Sequence, residues 1–231
     1  MNKLTLPNED TIVLLSGGVE SSALLQEVKK AVTGRVSAIH FNAGQLSAPR
    51  EHVYAARLCH RLNIQLYTVD ISAVFQTLQA GVAPLPYHNL DEHTCTSYPY
   101  TILAAVSAWR LSYKRIYRGL TKSDAEQAQH MNYKTMLDAM RTLLDVLTQG
   151  QIQYADPFLE SDMSDEDVLR EAVEKRFNYS ETWSCQWGFF YHCGECRTCK
   201  KRSSLFTARL GKDATKYMDD LGTKVILPDS I

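Results

Sequence analysis

Cys185, Cys193, Cys196 and Cys199 follow one another as C-x7-C-x2-C-x2-C. Gaps of two residues let a chain double back and present successive thiolates to one ion, so this spacing can place four sulfurs around a single tetrahedral Zn²⁺. Four sulfurs leave no open position for water, which marks the ion as structural. His192, beside Cys193, offers a substitute ligand. Far upstream, Ser16, Gly17, Gly18, Val19, Glu20, Ser21 and Ser22 follow an apolar, β-branched run at residues 11–15. Such a strand, glycine turn and helix can aim backbone N–H groups at one anion, and the helix dipole favours negative charge there. No Gly-Lys-Ser/Thr follows, so this is not the nucleotide triphosphatase loop, and it lacks the three spaced glycines of dinucleotide folds. The plain alternative is a tight turn.

The elements that would position these groups alternate. Strands are expected at residues 11–15, 36–41, 66–71, 115–119 and 152–155, and helices at 21–32, 49–62, 100–113 and 133–147. Ser164, followed by Asp165, Glu166 and Asp167, opens a further helix, because a capping hydroxyl and first-turn acids suit its N-terminal dipole. The alternation predicts an α/β fold with a parallel sheet. In helix 133–147 the stripe Met136, Leu137, Met140, Leu143, Leu144 and Leu147 reads as core or dimer face. Residues 77–98 hold two prolines, Pro84 and Pro86, without periodicity and are expected to loop near the C-terminal edge of the sheet, where open α/β folds bind ligands. We expect one domain over residues 1–231, with a nucleotide-binding core at 8–160 and a helical, metal-binding lobe at 161–231.

With 231 residues and 45% hydrophobic content the chain can bury one sizeable core. Lys and Arg total 25 against 26 Asp and Glu, a formal net charge of −1, so no global field draws it to nucleic acid or anionic lipid. No apolar run is long enough to span a bilayer, and residues 1–10 lack the features of a signal peptide, so a soluble cytoplasmic protein is expected. Cysteines crowded at metal-ligand spacing also suit a reducing compartment, leaving Cys59 and Cys95 as ordinary thiols.

The run from Ser16 to Ser21 resembles the Ser-Gly-Gly-x-Asp-Ser pyrophosphate loop of the ATP pyrophosphatase superfamily, whose members adenylate a substrate oxygen. Thr182-Trp183-Ser184-Cys185, the three later cysteines, Arg202 and Phe206 resemble the C-terminus of the 7-cyano-7-deazaguanine synthase (QueC) family. The likeness extends to Gly44-Gln45 and to residues 119–124. It implies a Rossmann-like, adenine nucleotide alpha hydrolase-like sheet, a four-cysteine zinc segment and a homodimer. It also implies that ATP and Mg²⁺ activate the carboxylate of 7-carboxy-7-deazaguanine, ammonia then giving the amide and a second ATP-dependent step the nitrile. Carried over, Ser16, Gly17, Gly18, Val19, Ser21, Ser22, Gly44, Gln45, Gly119 and Lys122 are the expected ATP contacts. Ser16, Glu20, Ser21 and Asp124 are the expected catalytic set, with Glu20 and Asp124 as metal or substrate contacts.

Three departures stand out. Glu20 replaces the usual Asp, pushing its carboxylate one methylene further. The Arg-Asn-Thr segment of nitrile-forming members is replaced by residues 97–101, Ser-Tyr-Pro-Tyr-Thr, and their Gly-Tyr-Pro-Asp-Cys-Arg segment by residues 125–130, Ala-Glu-Gln-Ala-Gln-His. Altered acceptor chemistry follows as one reading: the product stops at the amide, or the base is joined to another amine such as a protein N-terminus, in a role beside bacterial defence genes. An RNA-modifying pyrophosphatase and an inactive base-binding scaffold are the competing readings. Trp183, Trp187, Phe189, Phe190 and Tyr191 can stack on a planar base, plug the metal lobe or face a partner.

Overall fold

The computed structural model describes residue 4 and residues 6–74, 93–127, 132–218 and 225–226. Strands β1 (Thr11–Leu14), β2 (Val36–Asn42), β3 (Gln65–Asp70), β4 (Arg115–Tyr117) and β5 (Gln153–Ala155) form one sheet in the order β3-β2-β1-β4-β5. Every pairing is parallel. Helices cover both faces, so successive residues of the central strands are buried on opposite sides, as an internal parallel sheet requires. Val13 and Ala38 pack toward α1 (Val19–Ala31) and α2 (Ala48–Leu62), whereas Ile12, Ile39 and Ile116 pack toward α3 (His93–Arg110) and the helix Tyr133–Thr148. The strand order reverses between β1 and β4, and a crevice opens at such a switch point.

Helix α4 (Lys122–Gln127) follows β4; α5 is Tyr133–Thr148, α6 Pro157–Glu160 and α7 Asp165–Glu174. Ser164 caps α7 as expected, through a reciprocal box with Asp167. Helix α8 (Arg197–Leu210) and the antiparallel pair β6 (Tyr217–Met218) and β7 (Val225–Ile226) complete the chain order. Among the described residues no helix is long and apolar enough to cross a membrane.

Most expected boundaries hold to within two residues. Helix α3 is the exception, beginning at His93 and ending at Arg110. Ser112, at φ 60, turns the chain out of the helix, and Tyr113 is drawn inward to the Ser37 hydroxyl at 2.5 Å. The irregular segment expected at 77–98 is thus helical from residue 93, and its residues 77–92 lie outside the described residues, as do 128–130 of the second substituted segment. The stripe on α5 divides: Leu137, Met140 and Leu144 are buried, while Leu143 and Leu147 are exposed beside Val146. Helix α3, whose apolar run over residues 100–113 reads in the sequence as a buried helix, likewise exposes Leu103, Val106 and Trp109.

Candidate functional site

The loop after β1 is shaped by close packing. Gly17 has φ +83°, and a Cβ there would stand 2.7 Å from the Glu51 carbonyl oxygen of α2, so both conformation and space demand glycine. Gly18 caps α1 without any side-chain hydrogen bond, which leaves the helix N-terminus open to an anion. Ser16 and Ser21 pair through their hydroxyls at 3.0 Å, and the Gly18 N–H donates to Ser16 Oγ at 3.2 Å. From the far side of the switch point, Gly119 approaches so closely that a Cβ would lie 3.1 Å from Ser21 Cα and N.

This loop opens on a cavity of about 380 Å³ whose wall includes Ser16, Glu20, Ser21, Gln45, Glu51, Gly119 and Asp124. Burial, then the nearby charges of Asp165 and Asp124, push the Glu20 carboxyl up to about 7, against a smaller opposing effect of Lys201. Asp124 is raised for the same reasons, burial first and Asp165 second. The Thr121 N–H donates to Asp124 Oδ2 at 2.9 Å, the Thr121 hydroxyl to Asp165 Oδ1 at 2.6 Å, and Lys201 Nζ pairs with Asp165 Oδ2 at 2.5 Å. Four elements therefore bring three carboxylates and one ammonium to the edge of the loop. Such a group suits a divalent cation, whose charge would offset the burial and the mutual repulsion that raise Glu20 and Asp124.

Not every residue expected from the sequence faces this cavity. Val19 packs with Leu169 and Phe206, and Ser22 is almost fully buried at the start of α1. Gly44 shapes the turn after β2, its N–H donating to Asn42 Oδ1, and does not line the wall. Lys122 reaches outward to Asp162 at 3.0 Å. Four residues went unforeseen: Glu51, Asp165, Lys201 and Arg118. Arg118 lines the cavity and is clamped bidentately to buried Asp156, with both bonds at 3.0 Å. Pairings between distant parts of the chain reveal Asp165, Lys201 and Arg118, and the nearer Gln45 and Ser47 reveal Glu51. A wider groove of about 790 Å³ beside edge strand β5, lined by Arg115, Tyr117 and Arg141, includes none of the loop residues.

The four clustered cysteines converge. Their sulfurs all lie within 4.8 Å of one another, with Cys193–Cys199 at 3.9 Å and Cys185–Cys196 at 4.0 Å. Sulfurs about 2.3 Å from one tetrahedral ion stand roughly 3.8 Å apart. The cysteines of a four-iron cluster each hold a different iron and must spread wider than this. His192 stands apart from the four cysteines: its Nε2 accepts the Ser184 N–H at 3.1 Å, and burial pushes its pKa down to about 3. Buried Arg202 ties the lobe together, donating to Thr215, Thr182 and Ser184 hydroxyls and to the Tyr179 carbonyl at 2.7–2.9 Å. The lobe meets the loop directly, because the Trp183 N–H donates to the Gly17 carbonyl at 2.8 Å and Ser184, Cys185 and Gln186 line the cavity.

A family model described as "Queuosine biosynthesis protein QueC" matches residues 10–210. Among curated relatives, the 7-cyano-7-deazaguanine synthase of Caldicellulosiruptor bescii is 32% identical, the match covering 89% of this chain and 96% of that one. 7-cyano-7-deazaguanine synthase 1 of Sulfurisphaera tokodaii is 26% identical, with 90% and 98% covered. Among solved structures, the U34-tRNA thiolase NcsA from Methanococcus maripaludis, with its [4Fe-4S] cluster, superposes with a TM-score of 0.52 at 18% identity, covering 90% of this chain and 69% of that one. That likeness concerns the fold. With a family model spanning the sheet, the glycine loop and the cysteine lobe, this chain belongs to the QueC family.

Proposed function

We propose that the protein uses ATP to adenylate the carboxylate of 7-carboxy-7-deazaguanine and passes the activated acid to an amine, ammonia in the simplest case. The observation that carries this reading is the opening of an uncapped helix N-terminus and its serine-glycine loop onto the same cavity as Glu20 and Asp124. The names of the relatives supply the substrate class. A substrate carboxylate oxygen attacks the α-phosphorus, the bond to the β-phosphate bridging oxygen breaks, and pyrophosphate leaves into the cradle of Ser16, Gly17, Gly18 and Ser21. The amine then attacks the acyl carbon and AMP departs, the amine losing one proton. Held by Glu20 and Asp124, Mg²⁺ would supply charge neutralisation for the triphosphate. The side chains fix alignment and exclude water, which is most of what an adenylation needs.

Zn²⁺ is the ion we assign to the cysteine cluster, on the sulfur spacing. A core at residues 8–160 and a lobe at 161–231 remain our division of the chain. A homodimer through the apolar faces of α3 and α5, where Leu103, Val106, Trp109, Val146 and Leu147 are exposed, and a cytoplasmic location complete the reading. A second outcome at the same site, conjugation to a protein amine, is favoured by one observation: Phe189 and Phe190 are exposed next to the cavity-lining segment, where ammonia needs no apolar platform. Pyrophosphate release from ATP, with and without 7-carboxy-7-deazaguanine, tests the first step. Mass spectrometry of the product with ammonia separates amide from nitrile, and no base-stimulated release would refute adenylation.

A further inference from the structure

Of the three carboxylates in the cavity wall, Glu20, Glu51 and Asp124, only Glu51 has no part in the chemistry above. It stands in the first turn of α2, close to the phosphate loop, whose Gly17 packs against its carbonyl. Both oxygens are held: the Ser47 hydroxyl donates to Oε1 at 2.7 Å and Gln45 Nε2 donates to Oε2 at 2.8 Å. The Gln45 amide is itself fixed, because its Oε1 accepts the Ala43 N–H at 2.9 Å. Burial raises the Glu51 pKa and makes an under-solvated anion costly, while the two donors pointed at the group work in the other direction and favour its carboxylate form. A carboxylate offers about four lone-pair sites, so each oxygen of Glu51 keeps one.

Two lone pairs side by side in one plane match two adjacent N–H donors in one plane. A guanine-type base presents that edge, its ring N1–H beside its 2-amino group. The corresponding edge of adenine places an N–H beside a bare ring nitrogen, whose lone pair would face the carboxylate. We propose that Glu51 is a specificity-determining residue that accepts the N1–H and 2-amino hydrogens of a guanine-type base. That edge lies across the ring system from the 7-substituent, so the base is held with its reacting carboxylate free. This inference rests on the deazaguanine reading and deepens it by naming what reads the ring.

The test compares 7-carboxy-7-deazaguanine with its analogue lacking the 2-amino group, using the full metal-loaded chain. Binding of each base is measured by calorimetry, and pyrophosphate release separately. Wild type should prefer the amino-bearing base by about 10- to 100-fold, the span expected when a buried hydrogen-bonding group loses its partner. Glu51→Gln turns an N–H donor toward the base donors, and the preference should fall to within about threefold while the KM for ATP stays within about twofold. Equal affinity of wild type for the two bases overturns the inference, as does a Glu51→Gln protein that keeps the preference. Equal losses for both bases and ATP, with a lowered melting temperature, would make Glu51 structural and also overturn it. Selective binding by wild type, lost in Glu51→Gln, without pyrophosphate release would refute adenylation and still support Glu51 as the reader of the base.

Discussion

Glu20→Gln should remove a pH dependence of stability that the wild-type fold carries. Burial and the charges of Asp165 and Asp124 raise the Glu20 carboxyl from its ordinary 4.5 to about 7. Between those two values the folded protein holds a proton that the unfolded chain has released. Stability is therefore full below pH 4.5 and lost as pH rises through about 7, the reverse of an ordinary salt-bridged acid. A rise of about 2.5 pH units corresponds to about 3 kcal/mol; residual exposure and water entry reduce the expectation to roughly 2 kcal/mol. Urea unfolding in Mg²⁺-free buffer at pH 5 and pH 8 reads it. Gln carries no charge at either pH, so the variant should gain about 2 kcal/mol relative to wild type between the two conditions. Mg²⁺ added at pH 8 should stabilise wild type more than the variant, because a cation at the carboxylates favours the ionised form. Parallel pH profiles for the two proteins would refute the burial of this charge, and with it the crowding of carboxylates at the loop.

Cys196→Ala should lower bound metal from one ion per chain to near zero and open the lobe to proteolysis, since such an ion supplies on the order of 10 kcal/mol of folding free energy; elemental analysis and limited digestion check it. Gly17→Ala forces a left-handed backbone on a Cβ that meets the Glu51 carbonyl. It should cost about 2 kcal/mol, a fall of about 4–8 °C in Tm by scanning calorimetry, and raise the KM for ATP. Arg202→Met removes the four hydrogen bonds that tie Tyr179, Thr182, Ser184 and Thr215 together, leaving the Thr182 hydroxyl to the Tyr179 carbonyl as the remaining link; a loss of about 3 kcal/mol in denaturant titration is expected.

What could be foreseen from the chain depended on how local the cause was. The turn at Ser16 to Ser22 is written in adjacent residues, because the glycines and the hydroxyls serve a single stretch of backbone. The cysteine lobe is written in spacing, and the convergence of its sulfurs follows from that spacing. Helix α3 was misjudged at its start because Pro99 lies inside it and argues locally for irregular chain. Strand β5 and helix α7 were visible through β-branched and capping residues, whereas β6 and β7, two residues each, are too short to leave a pattern. Lys201 was invisible for another reason: on α8 it reads as one more surface lysine, and only the docking of the lobe brings it to Asp165. Glu51 likewise reads as an ordinary first-turn acid until Gln45 and Ser47 are seen to aim it.

The bond from the Trp183 N–H to the Gly17 carbonyl joins a loop to a segment synthesised much later than it. Strand β1 and helix α1 can pair with β2 and α2 as soon as these emerge from the ribosome, yet the loop between them, braced on one side by α2, lacks its second support until the cysteine segment follows. Metal scarcity during translation would then leave chains with an assembled sheet and a slack glycine loop, a long-range closure that folds late. Cells short of the metal would lose activity chiefly in newly made protein, while older molecules went on working.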